Sequence, residues 1–108
     1  MISLTPEAVE YLTTNYPFLV QEDLPAGTYS KIDYDVTCVA VKAVLVASED
    51  LSEDFVYELL TQMFENKDQM ASTQGKFEFL TLENAVAGVG DVPMHPGATK
   101  YYTEQGVL

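Results

Sequence analysis

One apolar run dominates the pattern of hydrophobic and polar positions along the chain. It extends from Val36 to Ala47, is rich in β-branched residues, and contains neither glycine nor proline before the polar residues 48–50. A near-continuous apolar run predicts a strand that is covered on both faces. Twelve residues at about 3.3 Å each would span roughly 40 Å, which exceeds most strands. The run therefore predicts a long strand over about residues 36–48 that either bends or passes from one packed body into another.

Lys42 interrupts the apolar coat near the middle of this run, on the face predicted for Cys38 and Val44. Two interpretations are open at this point. The aliphatic stem can lie on the core while the ammonium group reaches water. Alternatively, the strand crosses a wet cleft between two lobes.

The residues before this run predict a helix, a short strand and two turns. Thr5 is a suitable N-cap with proline after it, and a helix beginning there should end at Tyr16, because the residue before a proline avoids the α region. We expect a short strand at 18–20 and an acidic turn at 21–23. The Pro-Ala-Gly sequence at 25–27 predicts a further turn, followed by an extended path.

The residues after the run predict three helices. Either Asp50 or Ser52 can cap the first, which should reach about Asn66 and which carries an apolar stripe. Thr81 should cap a short helix. Pro96 should open the last helix, with a ring nitrogen of His95 as its cap and Gly106 as its stop. A strand followed at once by an amphipathic helix indicates the α/β class. The stripe consists of Phe55, Val56, Leu59, Leu60, Met63 and Phe64.

Acidic side chains greatly outnumber basic ones. The chain of 108 residues has seventeen Asp and Glu residues, five lysines and no arginine, which gives a formal net charge of −12. Such a chain is repelled by phosphate backbones and by anionic membranes, which argues against nucleic-acid binding. No apolar stretch approaches the roughly 20 residues of a membrane helix. The first residues show no signal-peptide pattern.

Residues that carry chemistry are scarce. Cys38 is the only cysteine and His95 the only histidine, and no basic neighbours are in view to activate the thiol. One Cys and one His do not make a zinc site, and the acidic pairs lack the spacing of a calcium loop. The Gly-Val-Gly sequence at 88–90 does not open a helix after a strand, so it is no phosphate loop. We expect no enzyme activity, no metal and no cofactor.

Four blocks, in this order and spacing, carry a family resemblance. The closing block is the most specific, with His-Pro-Gly-Ala, paired tyrosines and Glu-x-Gly. Over about residues 6–107 the chain resembles the C-terminal part of the TAXI-type solute receptors of TRAP transporters. Members of that family are several times longer, and begin with a signal peptide and a first lobe. The blocks are Leu24–Tyr29, Ala43–Glu53, Val56–Asn66 and Val92–Tyr102.

The resemblance implies a periplasmic receptor with a bilobal fold like that of type II periplasmic binding proteins. Residues 1–108 would be a single α/β fragment of it: the end of the second lobe, a strand crossing the hinge at about 36–48, and C-terminal helices that dock on the first lobe. The receptor would deliver a small organic acid, or an amino acid such as glutamate, to the membrane permease subunits. An apolar residue would be expected in relatives at the position of Lys42.

Thr28 and Tyr29 are the candidate ligand contacts, because their hydroxyl groups follow the Pro-Gly turn. Lys42 is a third candidate, as a counter-charge to an anionic ligand. Two other functions stay open: a free-standing, non-catalytic interaction module derived from the receptor fold, and an enzyme related to thiamine-precursor synthesis, which shares the bilobal architecture. We also expect the chain alone to self-associate through exposed sheet edges or its helix stripe.

Overall fold

The computed structural model describes all residues from Met1 to Leu108. It contains five α-helices, one 3-10 helix and a two-stranded sheet, which together make a small mixed α/β chain. Residues 1–108, expected above to form one α/β fragment, lie in two compact units. The hairpin unit comprises residues 1–44 and 88–91, and the helical unit comprises residues 45–87 and 92–108.

The hairpin unit contains α1 (Pro6–Asn15), β1 (Leu19–Leu24) and β2 (Val36–Val41). Thr5 caps α1 by accepting a hydrogen bond from the backbone N–H of Ala8, and the helix ends before Tyr16, so the prediction for this helix is confirmed. The two strands are antiparallel, with Leu19 opposite Val41 and Leu24 opposite Val36. Val9 and Val36 are the buried apolar residues of this unit.

Two predictions for the strands are wrong in their extent. Residues 21–23, which include Glu22 and Asp23, do not form a turn but lie within β1, where they pair with residues 37–39 of β2. The apolar run forms a strand only as far as Val41, and residues 42–48 lie outside any strand. The physical reason is the length of the partner strand. β1 begins at Leu19, so the backbone beyond Val41 has no neighbouring strand to continue the ladder.

The helical unit follows in order α2 (Glu53–Glu65), α3 (Lys67–Thr73), a 3-10 helix (Gly75–Phe79), α4 (Leu82–Val86) and α5 (Pro96–Glu104). The Ser52 hydroxyl accepts a hydrogen bond from Phe55 N at 3.2 Å, so Ser52 rather than Asp50 caps α2. Thr81 caps α4 as predicted, accepting from Asn84 N at 3.1 Å. None of these helices combines the length and the hydropathy that crossing a bilayer requires.

Side chains from α2 and α5 form the core of the helical unit. Val56 and Leu60 of α2 are buried against Tyr101 and Tyr102 of α5. The Phe64 ring stacks on Tyr101 at 5.6 Å between centroids. Such aromatic pairs contribute about 0.5–1.5 kcal/mol each beyond the area that they bury. The paired tyrosines of the closing sequence block are therefore core residues.

The two ends of α5 have local causes. Gly97 in its first turn lies so close to α2 that an added Cβ would meet the backbone oxygen of Glu53 and lie 3.0 Å from the backbone nitrogen of Tyr57. At the other end, Gly106 has a φ of +76°, and Val107 N donates a hydrogen bond to Tyr102 O at 3.1 Å. Glycine favours this left-handed conformation because it has no Cβ. Gly106 therefore ends the helix as predicted.

Candidate functional site

The loop between the two strands carries Thr28 and Tyr29. Its turn is closed by hydrogen bonds from Gly27 N to Ile32 O, at 2.7 Å, and from Thr28 N to Pro25 O, at 3.1 Å. The Thr28 hydroxyl also donates to Pro25 O, at 2.7 Å, which leaves its oxygen able to accept a hydrogen bond. Tyr29 is 55% exposed. Residues 28–29 lie in a bend of the loop rather than on the extended path that was predicted.

Lys42 lies one residue beyond the end of β2. Its ammonium group forms a salt bridge with Glu22 of β1, at 3.4 Å from Nζ to Oε2. Its stem packs against Gly88, where an added Cβ would lie 3.3 Å from Lys42 Cγ and 3.0 Å from Val20 Cγ1. The side chain therefore lies along the hairpin with its charge already paired. This arrangement leaves less positive charge for an anionic ligand than a free lysine would offer.

The three candidate residues do not form one cluster on the hairpin. Thr28 and Tyr29 follow the end of β1 at Leu24, whereas Lys42 follows the end of β2 at Val41, which pairs with the first residue of β1. Six paired residues at about 3.3 Å each separate these ends by roughly 17–20 Å. The backbone of Lys42 is therefore far from the loop, although its ammonium group reaches back to Glu22, two residues before the end of β1.

An open depression of about 400 Å³ lies at the base of the loop. Asp35 accepts a hydrogen bond from Ala26 N at 2.8 Å and thereby fixes the start of the loop. Thr37 donates its hydroxyl hydrogen to Asp23 Oδ1 at 2.7 Å, across the strand pair. These two carboxylates give the depression negative charge, which disfavours a ligand carboxylate inside it. The depression is lined by Asp23, Leu24, Pro25, Asp35 and Thr37.

The sequence reasoning did not identify this depression. The sequence pattern places Asp23 in a turn at 21–23 and gives no signal that Asp35 lies near it. They come together only because the strand register places Asp23 opposite Thr37, two positions after Asp35. Register is a tertiary property, and the only sequence signal for it was the pair of apolar segments on either side of a turn.

His95 has a structural role in the helical unit. Its Nδ1 accepts a hydrogen bond from Gly97 N at 3.1 Å, which confirms the predicted cap of α5. Its Nε2 lies 3.0 Å from Leu51 O. The imidazole can make both bonds only as the neutral tautomer that carries its hydrogen on Nε2. The ring thus ties the start of α5 to the segment that precedes α2.

The pKa values of three tyrosines are shifted in the helical unit. A hydrogen bond from the Tyr57 hydroxyl to Glu104 Oε2, at 2.6 Å, raises the pKa of Tyr57. Burial raises the pKa of Tyr101 and of Tyr102. All three shifts favour the neutral phenol, and only those of Tyr101 and Tyr102 have burial as their main cause. No group of three or more His, Cys, Asp and Glu side chains is arranged to hold a metal ion.

Comparison with protein-family models identifies the family of the chain. The model of the NMT1-like family matches residues 1–106, which is nearly the whole chain. The chain belongs to the NMT1-like family. This family is tied to periplasmic solute-binding proteins, and membership indicates a role related to solute binding and transport. The hairpin loop and the aromatic core described above are therefore parts of an NMT1-like chain.

Proposed function

We propose that the chain forms part of the solute-binding receptor of a TAXI-type TRAP transporter. In this role it would help to capture a small organic acid, or an amino acid such as glutamate, and present it to the membrane permease subunits from the periplasm. The role is non-catalytic. The observation that carries the proposal is the NMT1-like match over residues 1–106, because that family is tied to periplasmic solute-binding proteins.

The division of the chain into two units supports the bilobal part of the proposal. The chain passes from the hairpin unit to the helical unit between Val44 and Leu45, returns at Gly88, and leaves again after Asp91. The first passage falls inside the apolar run that the resemblance assigns to a hinge connection. In the proposed receptor a hinge would lie near Val44, and the C-terminal helices would dock on the first lobe of a fold like that of type II periplasmic binding proteins.

The charges of the chain restrict how it contributes to binding an acid. It has no arginine, its net charge is −12, and Lys42 is paired with Glu22. We therefore expect the main contact for a ligand carboxylate to come from a part of the receptor outside residues 1–108. Within this chain, Thr28 and Tyr29 are the better candidates for ligand contact, because both are exposed on the hairpin loop.

A thermal-shift screen of the complete receptor with amino acids and dicarboxylates tests the proposal. A ligand at 100 times its dissociation constant should stabilise the receptor by about 2.7 kcal/mol. Thr28→Ala and Tyr29→Phe should each weaken the affinity about fivefold, which corresponds to one neutral hydrogen bond of about 1 kcal/mol. Tyr11→Phe is a matched control, since Tyr11 is an exposed tyrosine on α1.

Two outcomes would count against parts of the proposal. Unchanged affinity in both loop variants would remove Thr28 and Tyr29 from the site while leaving the receptor function in place. A complete protein that no amino acid or organic acid stabilises would remove solute capture itself. The free-standing interaction module would then be the better account of the chain.

A further inference from the structure

Helix α2 carries a second apolar row that α5 does not cover. Leu51 is an exposed leucine just before the Ser52 cap of α2, and Phe55 and Leu59 are four residues apart within the helix, which places those two along one line of its surface. They are 39%, 55% and 37% exposed, respectively. The neighbouring face of the same helix, with Val56 and Leu60, is buried against α5. An amphipathic surface helix normally has one apolar stripe, so this second row is available to a partner.

An acidic row runs beside the apolar row. Asp50, Asp54 and Glu58 each precede a member of the apolar row by one residue, and all three are exposed. Neither salt bridge of the structure involves them, since those join Lys42 to Glu22 and Lys100 to Glu53. The segment from Asp50 to Glu65 contains no basic residue. The exposed surface is therefore apolar along one line and carries uncompensated negative charge along the next.

We propose that this face docks an amphipathic helix of a second protein, one that presents an apolar row beside a row of Lys or Arg. The apolar rows would exclude water from each other, and the basic row would compensate the three carboxylates. A second copy of this chain fits poorly, because it would bring another acidic row and a further net charge of −12 to the same interface. The proposal does not depend on solute capture.

A pair of helical probe peptides tests this proposal on the full chain. Both peptides have leucine at every fourth position; one has lysine beside each leucine, and the other has glutamate there. Fluorescence anisotropy should show binding of the lysine peptide at low salt and affinity lower by about tenfold or more for the glutamate peptide. Binding of the lysine peptide should weaken as salt is added, because exposed charges are screened.

Variants separate this face from general attraction between a cationic peptide and an acidic chain. Phe55→Ser with Leu59→Ser should lower the affinity for the lysine peptide about tenfold, since a few buried apolar side chains supply most of the affinity of an interface. Asp54→Lys with Glu58→Lys should reverse the preference between the two peptides. Glu7→Lys with Glu10→Lys on α1 is the matched control, which alters the net charge equally and should leave the preference unchanged. Circular dichroism should show native helix content in each variant.

Several outcomes would overturn the proposal. If the Phe55 and Leu59 variant binds the lysine peptide as tightly as the unmodified chain, net charge alone explains the binding. If the unmodified chain self-associates and the same variant does not, the face binds a second copy of the chain. If a longer protein containing this chain does not bind the peptide, a lobe of the same polypeptide covers the face. These outcomes are independent of the solute screen for the proposed function, because the peptide assay contains no solute.

Discussion

The hairpin unit and the helical unit are held together in different ways. The helical unit buries four large side chains from two helices, and three of its tyrosines contact one another or Phe64. The hairpin unit buries only Val9 and Val36, and its order comes largely from the hydrogen bonds of six paired residues. Side-chain packing tolerates little change, whereas a hairpin loop outside the paired strands tolerates substitution well. The candidate ligand contacts of the hairpin loop lie in the part that tolerates substitution.

Adjacent leucines on α2 provide the strongest test of this contrast. Leu60 is buried in the core and Leu59 lies on the exposed row. Leu60→Ala should lower the free energy of unfolding by about 3 kcal/mol, because it leaves a cavity between α2 and α5. Leu59→Ala should lower it by only about 0.5 kcal/mol. Urea denaturation followed by circular dichroism measures both, and equal losses would contradict the assigned core.

Gly97 tests how closely the two helices approach. A methyl group at this position would meet the backbone of Glu53 and Tyr57, which cannot rotate away as a side chain can. Gly97→Ala should therefore destabilise the chain by about 2 kcal/mol through overpacking. Gly75→Ala is the matched control, since no atom lies within 4 Å of its added Cβ. A Gly97→Ala variant as stable as the control would show that α5 is not packed tightly on α2.

The raised pKa values of the core tyrosines predict an alkaline limit to the stability of the helical unit. A group whose pKa is higher in the folded state stabilises that state below its unfolded pKa, and the contribution is lost as pH rises through the folded value. Tyr57, Tyr101 and Tyr102 all have pKa values raised from 10.0. The free energy of unfolding should therefore fall above about pH 10.

Tyr57→Phe separates the contributions to this loss of stability at alkaline pH. The variant lacks the hydroxyl that donates to Glu104, so it should lose the part of the pH dependence that comes from this pair. The part that comes from burial of Tyr101 and Tyr102 should remain. Denaturation between pH 8 and 11, monitored by helix content, measures both, and a flat profile for the unmodified chain would contradict the prediction.

The smallest effect is expected at the salt bridge of the hairpin unit. The Lys42 and Glu22 side chains are 29% and 39% exposed, so water and salt screen their attraction. A double-mutant cycle with Lys42→Met and Glu22→Gln should give a coupling of about 0.5 kcal/mol or less. The same Lys42→Met variant should leave solute affinity unchanged if the lysine is only a structural partner. A loss of affinity would restore Lys42 as a ligand contact.

The sequence by itself determined the helix ends. Thr5, Thr81, His95 and Gly106 were each assigned correctly, because a cap or a stop needs only hydrogen bonds within about one helical turn. At Asp50 and Ser52 the sequence left two choices, since either side chain can cap α2. The contact between Ser52 and Phe55 decided that case.

Only the tertiary structure decided the extent of the strands and the position of the candidate site. The apolar run has strand composition up to Ala47, but a strand requires a partner, and β1 supplies one only to Val41. Folding also brings the Lys42 side chain into a salt bridge with Glu22, twenty residues earlier in the chain, and places its backbone at the opposite end of the hairpin from Thr28 and Tyr29. Pairing between distant segments depends on which backbone groups meet after folding, and local residue patterns do not specify that partner.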